Sequence, residues 1–194
     1  MGRLLRIGLP GGLEVVGLPP PWEPTIAGSR ATPERGFLQE SAMTNDPQAI
    51  VVRAVQPDDY EQWLQLWLAY QDFYQVTLDE TTTRTAFSRL LDADEAMACA
   101  VAVQGDELVG VVHAVLHRST WAVADFCYLE DLYVAPTVRG GGTGKLLIEW
   151  VQRYAQYHAC ARLYWHTQQS NKRAQKLYNW IAEDSGCIEY RMAL

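Results

Sequence analysis

Apolar positions along the chain follow two different periods, and the switches between them outline a fold. Residues 50–55 (IVVRAV) are a continuous apolar run of strand length. Pro57-Asp58-Asp59 puts a proline and two acids where a helix begins. Trp63, Leu66, Trp67, Tyr70, Phe73 and Tyr74 then recur at spacings of three and four, which is one face of a helix. A second helix is expected over 80–92. Two apolar runs, 96–104 and 107–117, are joined by Gly105-Asp106, a hairpin signal. Residues 126–134 (FCYLEDLYV) form a further strand leading into a run of glycines, after which Leu147, Val151, Tyr154 and His158 mark one face of a long helix. A strand over 161–167 (ARLYWHT), a helix over 171–184 and a final strand over 187–192 (CIEYRM) complete the pattern. The order β-αα-ββ-β-α-β-α-β predicts an α/β (α+β) domain, a mixed sheet with flanking helices and a parallel strand pair beside the glycines.

Residues 1–44 break this pattern. They are rich in glycine and proline, including Pro19-Pro20-Pro21, and Pro10, Gly11, Gly12 and Glu14 interrupt any apolar core a signal peptide would need. Arg6 stands where myristoylation requires Ser or Thr. Such a segment buries too little to offset its ordering entropy. We read 1–44 as a flexible leader, or as sequence upstream of a start at Met43, and 45–194 as the domain.

Charge and cysteine usage narrow the chemistry. The net charge of −7 argues against a general nucleic-acid binder and suits a cationic small substrate. No apolar run approaches the roughly 18 residues of a membrane span. Cys99, Cys127, Cys160 and Cys187 lack any Cys-x-x-Cys pair and read as thiols of a reducing compartment, so a cytoplasmic location is expected. His113 and His117 lie four apart on a strand, a poor metal pair, and no metal is expected.

The run VAPTVRGGGTGKLLIEW, Val134 to Trp150, carries the sharpest signal. Glycine lets backbone amides approach a ligand, and a helix start offers unpaired N–H groups and a positive dipole end, so glycines ahead of a helix make an anion site. A Walker A loop would need glycine at Arg139 and a hydroxyl at Leu146, so that motif fails. Gly-x-Gly-x-x-Gly fails at Lys145 and at Leu147. Arg-x-x-Gly-x-Gly fits, as Arg139, Gly142 and Gly144. This resembles the pyrophosphate loop of the GCN5-related N-acetyltransferases (GNAT). Two further stretches resemble the same family in the same order: YLEDLYV (Tyr128–Val134), and WHTQQSNKRAQKLY, with Asn171 and Tyr178 two helical turns apart. HRSTWA and LYWHT are similar to the small histone and polyamine N-acetyltransferases and their bacterial relatives. The likeness spans about 49–192, and its one departure is the spacing of Gly186-Cys187, which leaves the packing of the last strand open.

The resemblance implies a GNAT fold, acetyl-CoA as co-substrate, and a homodimer. It implies that Arg139, Gly140, Gly141, Gly142, Thr143, Gly144 and Lys145 hold the pyrophosphate, mostly through amides. Leu132, Tyr133 and Val134 would pair with pantetheine, Asn171 would steady that arm or cap its helix, and Tyr178 would protonate the departing thiolate. An alkylamine is mostly protonated at pH 7, so the reaction also needs a base. Glu130 and Asp131 are the candidates, Glu130 as base through water and Asp131 as binder of the cationic amine. Adjacent strand residues face opposite ways, so sharing one pocket requires a bulge, which the resemblance also implies. The aromatic helix is mostly core, with a minority of rings facing the acceptor. A polyamine-like or amino-acid-like amine is the expected acceptor. A protein lysine or N-terminus, and a non-catalytic acyl-CoA module, are the alternatives; both acids and Tyr178 argue against the last.

Overall fold

The computed structural model describes residues 49–192 and, as backbone, two short segments before them. Those segments are β1 (Leu5–Gly8) and β2 (Glu14–Gly17), which pair antiparallel. The leader reading did not anticipate this hairpin; the rest of 1–48 lies outside the described residues.

In the larger unit the elements follow the sequence pattern closely. They are β3 (Ile50–Ala54), a 3-10 turn (Pro57–Asp59), α1 (Tyr60–Tyr74), α2 (Glu80–Leu91), β4 (Met97–Gln104), β5 (Glu107–His117), β6 (Phe126–Val134), a second 3-10 turn (Pro136–Val138), α3 (Thr143–Tyr157), β7 (Arg162–Trp165) and α4 (Lys172–Ile181). The strands form one sheet in sequential order, antiparallel except for the β6–β7 pair. Local chemistry sets the helix starts. Asp59 accepts the Gln56 amide at 2.7 Å and a bidentate Arg53 at 2.6 and 2.8 Å, which ties the entry of α1 to β3. Asp79 caps α2 by accepting from Thr82 N at 2.7 Å.

Each face of the sheet carries its own core. On one side Leu147, Ile148, Trp150 and Val151 of α3 pack on Ala100, Val112, Ala114, Cys127 and Leu129. On the other, Trp63, Leu66 and Trp67 of α1 and Phe87 and Leu90 of α2 cover Cys99, Val101 and Val111. Fully burying one such aliphatic or aromatic side chain stabilises the fold by about 1.5–3 kcal/mol.

Two expectations need correction. β7 is shorter than the 161–167 run, because its pairing with β6 stops at Leu129–Trp165. The strand over 187–192 does not form: Gly186 takes φ +68° and the Gly186 and Cys187 amides turn back to Asp184 Oδ1 and Ser185 Oγ. These local bonds compete with extended pairing, and Ile188, Tyr190 and Met192 stand exposed.

Candidate active site

β6 runs on beyond its partner. Residues 131–134 pair with β5 but nothing after Leu129 pairs with β7, so the two strands part as a fork there. A cleft of about 560 Å³ occupies the fork, a size typical of small-molecule sites. Its walls are β6, the glycine loop, the end of α1 and the inner face of α4.

The glycine loop is shaped by backbone. Gly140 and Gly142 hold φ +94° and +89°, a region L-residues rarely adopt, and Gly142 is the N-cap of α3. A Cβ built at either meets nothing within 4 Å, so the loop faces open space. First-turn amides of a helix have no carbonyl partner within it. Gly144 differs: its Cβ would point at Leu177 Cδ2 (3.4 Å) and Val134 Cγ2 (3.9 Å), so this glycine bears on helix packing rather than on open loop space. The side chains named from the sequence are largely committed elsewhere. Arg139 Nε donates to the Val134 carbonyl at 2.7 Å with its guanidinium over the Tyr133 ring. Thr143 is buried against the Val138 carbonyl, and Lys145 pairs with Glu149 and lies over Trp180. Gly140, Gly142, Thr143, Gly144 and Lys145 still line the cleft, whereas Gly141 does not. Arg173 and Lys176, which the sequence reading left unassigned, line it as well. Their signal was basic residues on the first turns of the helix that carries Asn171 and Tyr178. Open amides, left-handed glycines and two cations lining one forked cleft fit an acyl-CoA diphosphate.

Leu132, Tyr133 and Val134 form the cleft wall on the β6 side. Asn171 caps α4, accepting from Ala174 N at 3.3 Å while its Nδ2 donates to Thr167 Oγ1 at 3.2 Å, and it too lines the cleft. Tyr178 projects from α4 with its ring edge on Trp165, ring centres 5.5 Å apart. Burial, then the neighbouring Tyr74, pushes its phenol up to about 12. A phenol held protonated is a donor.

The acids divide. The register passes from Ala114–Leu129 to His113–Asp131, leaving Glu130 as an extra residue. This is the bulge the family resemblance implied, and it puts both acids on the α1 side of the sheet. Glu130 lines the cleft, and burial together with Asp131 raises its carboxyl above the usual range. Asp131 does not line it; its Oδ2 accepts from His113 Nδ1 at 2.9 Å, and His113 Nε2 accepts from Trp63 Nε1 at 3.0 Å. The carboxylate expected from the sequence to meet an amine is thus bonded to His113. The carboxylate is turned under α1 by a buried histidine. Of the aromatic helix, Trp63 and Trp67 are core, while Tyr70, Phe73 and Tyr74 reach the cleft.

With this geometry in place, comparison with known proteins is decisive. The Acetyltransferase (GNAT) family model matches residues 60–180. The chain belongs to the GNAT acetyltransferase family. Within that family it is 34% identical over 151 residues to the D-amino-acid N-acetyltransferase HPA3 of Saccharomyces cerevisiae, covering 77% of this chain and 92% of that protein. It is 39% identical over 75 residues to a thialysine N-epsilon-acetyltransferase of Bos taurus, covering 39% of this chain and 44% of that protein. The solved structure of AAC(6')-Iy with a CoA bisubstrate analogue superposes with TM-score 0.65 at 21% identity, covering 75% of this chain and 99% of that one, a likeness of fold. This GNAT protein is an acyl-CoA-dependent N-acetyltransferase. Among the described residues no helix is long and apolar enough to cross a membrane, and no group of three or more metal-ligating side chains occurs.

Proposed function

We propose that the chain transfers the acetyl group of acetyl-CoA to a small, amino-acid-like primary amine by direct attack in a ternary complex. The observation that carries this is the fork itself: Glu130 and Tyr178 face one cleft from opposite walls, beside a glycine loop suited to a diphosphate. The acyltransferase relatives whose names specify a D-amino acid and thialysine support a small acceptor.

Acetyl-CoA brings an activated thioester carbonyl to the fork. Glu130 attracts the acceptor ammonium and takes its proton through water, and its raised carboxyl is better matched to that task than an ordinary glutamate. Tyr178 donates its proton to the sulfur as the C–S bond breaks, and burial keeps that proton in place until then. The β6 edge from Leu132 to Val134, left open by β7, is suited to pair with the pantetheine amides as an added strand. Arg139 holds that edge in shape through the Val134 carbonyl.

The test is a panel of D- and L-amino acids, lysine, thialysine, spermidine and a short basic peptide, with thiol release from acetyl-CoA as the readout. Turnover highest on amino-acid-like amines is expected. Turnover confined to the peptide would replace this reading with protein acetylation.

A further inference from the structure

The nucleotide half of acetyl-CoA has no partner in the reaction as proposed, and one stripe of α4 offers it one. Leu177, Tyr178 and Ile181 of this helix pack on the core of the α3 side of the sheet. Arg173, Lys176 and Trp180 follow one another at spacings of three and four, so they share a separate stripe. All three are exposed and line the cleft. Trp180 is the unusual member. Every other apolar residue of α4 is at least partly covered, whereas Trp180 is 71% exposed, even with Lys145 Nζ over its ring at 5.8 Å from the centre.

Two contacts fix this ring beside the glycine loop. Lys145 belongs to the first turn of α3, directly after the loop. Leu177, one turn before Trp180, is the side chain that a Cβ at Gly144 would meet at 3.4 Å. The indole therefore stands next to the amides and cations suited to the diphosphate. In CoA a single ribose separates the diphosphate from adenine. A broad, open aromatic face next to a diphosphate site is matched to a purine, because every base can stack on such a face. We infer that Trp180 is a binding residue for the adenine of acetyl-CoA, the platform on which the base stacks. The inference rests on the acetyl-CoA reading above and gives the nucleotide a contact of its own, apart from the chemistry at Glu130 and Tyr178.

Isothermal titration of the full chain tests this with CoA, dephospho-CoA, which keeps the adenine, and phosphopantetheine, which lacks the whole adenosine. Base–aromatic stacking corresponds to roughly fivefold to a hundredfold in affinity. Trp180→Leu keeps apolar bulk but removes the aromatic face. It should weaken CoA and dephospho-CoA by about that factor and leave phosphopantetheine within about twofold of wild type. Trp180→Phe, which retains a ring, should recover part of the loss. Both variants should melt with the wild type, since an exposed side chain contributes little to stability. Equal losses on all three ligands would assign Trp180 to the shape of the cleft and overturn the inference. Unchanged CoA affinity in Trp180→Leu overturns it as well, and a clearly lowered melting temperature counts against an open platform. Each of these leaves the acetyltransferase reading intact. Failure of the wild type to bind CoA overturns both.

Discussion

Replacing Gly142 by alanine separates backbone strain from steric blockage. The residue holds φ +89° at the N-cap of α3, where an L-residue costs roughly 1–2 kcal/mol. A Cβ there meets nothing within 4 Å, so the cost is conformational, with no clash to add. For a chain of this size each kcal/mol moves Tm by about 2–4 °C, and Gly142→Ala should therefore melt about 2–8 °C lower. Gly141→Ala is the internal control. Gly141 lacks a positive φ, and its Cβ would make ordinary contact with the Val138 carbonyl at 3.5 Å. It should melt with the wild type. Differential scanning fluorimetry reads the stability arm, and isothermal titration with acetyl-CoA reads the binding arm, where Gly142→Ala should lose affinity beyond its stability loss. Equal melting temperatures for the two variants would refute the left-handed assignment at Gly142. Unchanged affinity in Gly142→Ala would remove the loop from the diphosphate site.

Three other outcomes are expected. Tyr178→Phe should lower kcat by roughly 10²–10⁴ with little change in binding of either substrate, measured by steady-state kinetics and titration. Burial alone would raise the Asp59 carboxyl, but the Arg53 guanidinium and the Gln56 amide outweigh it and hold the group below the usual range. Its stabilisation is then present above the unfolded-state value near about 4 and is lost as pH falls through the folded value. Asp59→Asn should accordingly flatten the acid limb of a Tm-against-pH curve and cost about 2–3 kcal/mol at pH 7, less than a fully buried pair because Arg53 is partly exposed. Removal of residues 1–42, leaving Met43 first, should change neither Tm nor turnover if 45–194 is the whole enzyme; a drop in either assigns the leader a structural part.

What the sequence makes legible follows from how local each determinant is. Helical periodicity and caps are local, so α1 through α4 lie where the spacing places them. The bulge at Glu130 was inferable only through family likeness, since nothing in LEDL states which residue is unpaired. The fate of Asp131 was not legible, because it depends on His113 across the β5–β6 register and on Trp63 from α1. A signal was available in retrospect: His113 is the one ionisable residue inside the apolar run of β5 between Leu108 and Leu116, and a buried polar group demands a partner. The strand over 187–192 failed for the opposite reason. Alternation there was real, but alternation describes only the willingness of a strand and not the availability of an edge. Arg139 and Lys145 were named as members of the glycine loop, and the structure commits both side chains to local partners that sequence spacing does not reveal.

Glu130 and Asp131 are joined by one peptide bond yet differ sharply in mutational freedom. The first opens onto the cleft, so its replacements should be filtered by turnover rather than by folding. The second is bonded to His113 of β5, which Trp63 of α1 holds in turn, so its replacements are filtered by whether the domain holds together. A lineage can therefore alter the chemistry at position 130 without renegotiating the interior. In a saturation library across this bulge, position 130 should yield folded proteins of lowered turnover, and position 131 mostly proteins that do not accumulate.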